Sequence, residues 1–182
     1  EIEIAMQLIE KTNPSVCFID GSLVPHPMDK PPKESKLNRE YEKVVELFVQ
    51  LYQLCEKKNV LLIGAIEDSR STRLSEWIHA HVLNEMGKGD LIQDATLLDN
   101  VLNAYERSMA FSIAEAGSKH PTLNDFPSKW GEVLHACYVK PSKWDYPLRI
   151  EFISAPEKIT ENANRASEIV CAQSCLHKEY AF

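Results

Sequence analysis

The sequence predicts an α/β fold, a mixed β-sheet flanked by helices, within a single domain over residues 1–182. Two observations carry this reading. Short apolar runs end abruptly in turn chemistry: Val16-Cys17-Phe18-Ile19-Asp20 before Gly21-Ser22, and Val60 through Ile66 before Glu67-Asp68-Ser69. Runs that short, bounded by turn residues and rich in branched and aromatic side chains, are buried strands. Around them stand longer segments whose apolar residues recur at helical spacing. Strands interleaved with helices give a sheet with helices packed on it.

Each element has its own signal. Ile2, Ala5, Met6 and Ile9 form a helical stripe over 1–12, which Asn13-Pro14-Ser15 ends. The strand 16–20 follows. Residues 24–36 hold Pro25, Pro27, Pro31 and Pro32 among lysines and predict a loop. A long helix over 37–57 places Tyr41, Val44, Val45, Phe48, Leu51, Tyr52 and Cys55 on one face, with Lys57-Lys58-Asn59 suited to its C-terminal end. Residues 60–66 are the most apolar run and predict a central strand. A helix over about 73–86 carries Leu74, Trp77, Ile78 and His81 on one face. The stretch 90–116 reads as helical in part, and 118–131, with its two prolines and one glycine, as loop. Val133–Lys140 and Leu148–Ser154 read as an antiparallel pair of strands, and 157–177 as a helix.

Composition narrows the function. The 44% hydrophobic and 26% charged fractions are those of an ordinary globular protein. A net charge of −7 argues against a wholly basic nucleic-acid coat but leaves room for local phosphate contacts. Three basic clusters qualify: Lys30, Lys33, Lys36 and Arg39; Arg70 and Arg73; Lys140, Lys143 and Arg149. No apolar run approaches the roughly 20 residues that span a bilayer, and the acidic first residues do not make a signal peptide. Five cysteines, an odd number in mostly apolar surroundings, predict reduced thiols and a cytoplasmic setting. A start at Glu1 predicts a piece of a longer protein. No Gly-x-x-x-x-Gly-Lys loop supports ATP hydrolysis, and no Gly-x-Ser-x-Gly elbow supports a serine hydrolase.

Asp20 is the leading candidate for chemistry. A carboxylate at the end of a buried strand stands on a rigid element, as the metal ligands of hydrolases that use hard divalent cations do. It equally fits an ordinary strand-to-turn aspartate, since Asp-Gly is a common turn pair. Asp68, Ser69 and Arg70 follow the central strand just before a helix. They suit phosphate or substrate contact at a helix N-terminus, or helix capping by Asp68 or Ser71. His79 and His81 point to different helix faces and make a poor metal pair. Cys171, Cys175 and His177 are too few for a structural zinc site. Trp77, Phe126, Trp130 and Trp144 are candidates for stacking on unpaired bases.

Phe18-Ile19-Asp20-Gly21-Ser22-Leu23 and Ile63-Gly64-Ala65-Ile66-Glu67-Asp68-Ser69-Arg70-Ser71, in this order and spacing, resemble the NurA nucleases. These are prokaryotic DNA-end-processing enzymes with an RNase H-like fold, and the likeness covers nearly the whole chain. The resemblance implies metal ligation by Asp20 and by Glu3 on the preceding helix, although Glu3, Gln7 and Glu10 also form a plain polar helix face. It implies an active-site role for Tyr180 and a Mn²⁺ or Mg²⁺ cofactor. It implies a 5′-to-3′ exonuclease and single-strand endonuclease acting on DNA ends in double-strand break repair. The partners it implies are DNA, a HerA-type hexameric ATPase and a second copy of the chain as a homodimer, with no membrane. An earlier family strand ending in Asp-Gly-Ser, and a histidine after the late tyrosine, have no counterpart in these residues, and Glu67 stands where relatives often carry Lys. The alternatives are a non-catalytic DNA- or ATPase-binding subunit of the same fold, or another RNase H-like phosphoryl-transfer enzyme.

Overall fold

The computed structural model describes residues 1–83, 91–115 and 120–176. Its elements in chain order are α1 (Ile2–Thr12), β1 (Val16–Asp20), α2 (Asn38–Lys58), β2 (Leu61–Ile66), α3 (Arg73–His81), α4 (Asp94–Asp99), β3 (Phe111–Ser112), α5 (Ser128–Val133), β4 (Leu134–Val139), β5 (Leu148–Ile153) and α6 (Ile159–Ser174), with three short 3-10 turns between them. The five strands form one mixed sheet in the order β1-β2-β5-β4-β3. β1 and β2 are parallel, with Val16 opposite Leu61 and Asp20 opposite Ala65. β2–β5, β5–β4 and β4–β3 are antiparallel. The chain is therefore α/β with a mixed sheet flanked by helices, consistent with an RNase H-like sheet.

Side-chain alternation assigns the two faces. Leu61, Ile63, Ala65, Cys137, Val139, Ile150 and Phe152 pack under α6, with Val16 and Phe18 beside them. α6 buries Ala163, Ala166, Ser167, Val170 and Ser174. The opposite face carries Ile19, Leu62, Ala136 and Tyr138 against the apolar sides of α1 through α5. The long helix α2 contributes most of that layer, with Leu51 and Tyr52 fully buried.

Helix ends follow the sequence. α1 and α2 stop at Asn13 and Asn59, both left-handed (φ 47° and 55°), the conformation asparagine tolerates at a helix C-terminus. Two elements depart from the sequence reading. Part of 118–131 is helical: α5 starts directly after Pro127, which stands at its N-cap position. Trp130 anchors it, its ring 5.3 Å from that of Tyr52. The two-residue strand β3 was not legible, being too short for any period to register. Within the described residues α3 ends at His81, short of 86. All five cysteines are free thiols; Cys55 and Cys137 are buried, and Cys175 is exposed.

Candidate functional site

The carboxyl ends of the parallel strands β1 and β2 open onto one cavity of about 610 Å³. This is where ligands of open α/β sheets usually bind. Ser22, Val24 and Pro25 form one wall, from the turn after β1; Asp68, Ser69, Arg70 and Ser71, from the turn after β2, form another. Arg149 and Glu151 rise from β5, and His120 closes the far side. The two motifs picked out in sequence thus meet in space.

The turn after β1 is built tightly. Gly21 has a φ of +104°, a conformation only glycine adopts without strain. Its N–H donates to the Ala65 carbonyl at 2.8 Å, extending the ladder by one residue. Leu23 is fully buried, and its carbonyl accepts from the Tyr52 hydroxyl. Gly64 is required by the same turn: a Cβ there would stand 2.6 Å from the Gly21 carbonyl oxygen and 2.9 Å from Leu23 Cγ.

Glu151 locks this turn to the sheet. Its Oε2 accepts from the Ser22 hydroxyl at 2.7 Å and from the Leu23 N–H at 2.8 Å. Its Oε1 holds Arg149 Nη2 at 2.6 Å. Both side chains are buried, at 7% and 2% exposure. Burial opposes the charge of Arg149, but Glu151, with Tyr138 and Asp94, more than offsets it and raises its pKa. Arg149 Nε is buried and has no hydrogen-bond partner.

The second wall is held by a buried carboxylate. Asp94, at the start of α4, accepts from the N–H groups of Leu74 and Ser75 at 3.0 and 2.9 Å and from the Tyr138 hydroxyl at 2.9 Å. It caps α3 from a distance. Burial raises its pKa, and these donors partly restore the charged form. Ser71 Oγ also accepts from the Arg73 N–H at 3.1 Å. The N-cap position of α3 is Thr72, so neither of the caps suggested by sequence occupies it; Asp68 is exposed at the cavity mouth. Arg73 pairs with Glu76 at 3.3 Å. His120 is kept neutral, its pKa lowered to about 4 by burial first and then by Arg73 and Arg149.

The candidate metal ligands lie elsewhere. Asp20 has the same strand parity as Val16 and Phe18, so its exposed carboxylate leaves β1 on the α6 side, and it does not line the cavity. Glu3 is exposed on α1. The acid that reaches the end of β1 is Glu1, whose Oε1 accepts from the Asp20 N–H at 3.2 Å. Carboxylates suit a hard divalent ion in kind. Among the described residues no three His, Cys, Asp or Glu side chains gather as a metal site. Tyr180 and His177 lie outside the described residues.

Several other sequence candidates resolve plainly. Phe126 and Trp130 are core residues around Tyr52 and are not available for stacking. Trp77 is half-buried against His81. Trp144 is 85% exposed, with Lys143 Nζ 4.9 Å from its ring centre. Lys30 is tied to Asp125 at 2.7 Å and Lys140 to Asp99 at 2.7 Å. Arg149, grouped by sequence with Lys140 and Lys143, lines the cavity.

Sequence reasoning placed Arg149 only in a basic cluster and did not single out Glu151. Leu148-Arg-Ile-Glu-Phe152 alternates apolar and charged residues, which reads as a strand with one solvated face. The available signal was position: two opposite charges on a strand expected to pair within a sheet.

Among the described residues, no helix is long and apolar enough to cross a membrane. No curated relative and no solved structure matches the chain significantly. The model of the NurA domain matches residues 1–180. The chain therefore belongs to the NurA domain family, a family of nucleases associated with DNA repair.

Proposed function

We infer that this chain is a metal-dependent DNA nuclease. It hydrolyses phosphodiester bonds as a 5′-to-3′ exonuclease and single-strand endonuclease, and it processes the ends of double-strand breaks as a homodimer with a HerA-type hexameric ATPase. The observation that carries this reading is the convergence of Ser22 with Asp68, Ser69, Arg70 and Ser71 on one cavity. The two motifs that define the resemblance form one wall-to-wall site at the carboxyl ends of the parallel strands. Ser69 and Arg70 are the substrate contacts in this reading, with Asp68 at the mouth. Asp20, Glu3 and Tyr180 are the catalytic set.

Asp20 and Glu3 would hold Mn²⁺ or Mg²⁺ with water filling the remaining positions, since such ions often take only one or two protein carboxylates. When bound, the ion supplies an activated water and charge relief on the leaving oxygen. The chain's own contribution is to hold strand phosphates beside the β1 turn through the cavity arginines and serines.

The test is digestion of end-labelled single- and double-stranded DNA with Mn²⁺ and with EDTA, using wild type, Asp20→Asn and Glu3→Gln. Cutting that needs Mn²⁺ and drops at least about a hundredfold in Asp20→Asn supports the reading. Equal cutting by wild type and Asp20→Asn overturns the role of Asp20. One observation favours a second reading, a non-catalytic DNA- or ATPase-binding subunit: the described residues gather no metal-binding group of three. Absence of cutting with Mn²⁺, alongside retained DNA binding, would select it.

A further inference from the structure

We propose that the cavity receives a phosphate monoester, the terminal phosphate of a nucleic-acid strand, with the Nε–H of Arg149 as its buried donor. The choice of a nucleic-acid strand as carrier rests on the nuclease reading; the phosphate pocket itself rests on the side chains that follow.

Arg149 is only 6% exposed, stands on the third strand of five, and lines the cavity. A buried guanidinium N–H without a partner is rare and unfavourable. Tyr138 also bonds the guanidinium, Glu151 Oε1 is on Nη2, and Glu151 Oε2 takes the Ser22 hydroxyl and the Leu23 N–H, yet none of these acceptors meets Nε. The donor is left over because the site is built around an acceptor that arrives from outside. The surroundings specify an anion. Arg70 and Arg73 also line the cavity, making three guanidinium groups against the carboxylates of Asp68 and Glu151, with Arg73 sharing its charge with Glu76. The Ser71 hydroxyl oxygen accepts from Arg73 N–H, which leaves its own proton to donate. Guanidinium forks and hydroxyls are the usual partners of phosphate oxygens.

Depth selects a monoester. Arg149 lies on the sheet floor, under the turns after β1 and β2. A phosphodiester within a strand carries a sugar on both sides, so its oxygens reach the mouth, where Arg70 is exposed. A terminal phosphate has one substituent and enters end-on. A cavity of about 610 Å³ falls in the range of small-molecule pockets, so it admits that phosphate together with its own nucleoside.

The experiment measures binding in EDTA, where no cutting occurs. Short single-stranded oligonucleotides carrying a 5′-phosphate, a 3′-phosphate or neither are titrated by fluorescence anisotropy, with inorganic phosphate as competitor. Wild type should bind one phosphorylated form about tenfold tighter than the hydroxyl-ended form, the worth of a charge-assisted hydrogen bond. The form preferred identifies the end. Arg149→Lys keeps the charge and the Glu151 partner but removes the Nε–H, and should bring the two affinities to within about twofold. Should that variant melt far below wild type, Ser71→Ala, at the half-buried wall, should still cut the preference about threefold. Equal binding of phosphorylated and hydroxyl ends by wild type overturns the proposal. So does a preference that survives in the variants, or competition by inorganic phosphate without any end preference. A protein that prefers phosphorylated ends yet never cuts with Mn²⁺ keeps this inference and loses the nuclease reading; the converse loses only this one.

Discussion

Replacing Glu151 with alanine tests the buried ion pair that joins the sheet to the turn after β1. The change leaves Arg149 charged and buried, and it strips the Ser22 hydroxyl and the Leu23 N–H of their acceptor. At 2.6 Å the gross attraction is about 6 kcal/mol with an effective dielectric near 20. Desolvation of two ions removes much of that, so the pair as a whole contributes little net stability. Breaking it from one side is different, because an uncompensated charge remains inside: about 3–5 kcal/mol is lost. A chain of this length shifts its melting temperature by about 2–4 °C per kcal/mol, so Glu151→Ala should melt roughly 10–15 °C below wild type by circular dichroism. The double variant Arg149→Met, Glu151→Leu removes both charges and should recover more than half of the loss, since apolar volume can replace a buried pair at small cost. A single variant melting within about 2 °C of wild type would refute the reasoning, as would a double variant whose loss equals the sum of the two singles.

Three further changes probe other parts of the design. Gly64→Ala drives a methyl into the Gly21 carbonyl and Leu23; it should cost at least about 1–3 kcal/mol, visible as a lowered urea midpoint. His120 contributes a defined pH dependence. Its pKa is about 4 in the fold and about 6.5 in the unfolded chain, so between these values the unfolded state binds the extra proton. Its stabilisation is complete above the unfolded value and is lost as the pH falls toward the folded one. Going from about pH 7 to pH 5, wild type should lose about 1–2 kcal/mol more than His120→Gln in urea titrations; parallel losses would show that this imidazole is not held neutral. Trp144→Ala should leave the melting temperature unchanged and weaken single-strand binding by about 1–3 kcal/mol, whereas Trp130→Ala should cost about 3–5 kcal/mol of stability; the reverse pattern would exchange their assigned roles.

Most elements were legible because their periods are unmixed. β1 and β2 are apolar runs ended by turn residues, and α2 holds its stripe over 21 residues. The antiparallel pairing of β4 and β5 followed from their closeness in sequence. What escaped notice depends on contacts made at long range. α5 is six residues long and exists because Trp130 has Tyr52 to pack on; nothing local outweighs the Gly and Pro around it. Phe126 looked as available for stacking as Trp144, since aromatic side chains are alike until burial separates them. The site divides the same way. That Asp68-Ser69-Arg70 borders a cavity could be inferred from a strand end followed by a helix start. The role of Arg149 and Glu151 could not, because a central strand and an edge strand share the same alternation, and only the structure shows that this one is central with both faces buried.

The turn after β1 bears on how far a motif argues for catalysis. Asp20-Gly21-Ser22-Leu23 suggested a functional signature, yet three of its four residues have complete structural explanations. Gly21 supplies a left-handed backbone, Ser22 binds the carboxylate that closes the cavity wall, and Leu23 fills the space that Gly64 leaves. Conformation, hydrogen bonding and packing would preserve those three in a protein that cut nothing. Asp20 is the exception. Its backbone N–H meets Glu1, but its carboxylate makes no hydrogen bond or ion pair among the described residues. A charged group on a rigid strand end, contributing nothing to the fold, is the member of the motif whose presence the fold does not explain. The functional weight of the signature therefore concentrates on that one side chain. Asp20→Asn should then leave the melting temperature within about 1 °C of wild type, as surface substitutions do, while removing whatever chemistry the turn performs. A drop of several degrees would instead make Asp20 a fourth structural residue and return the search for catalysis to the cavity on the other face of the strand.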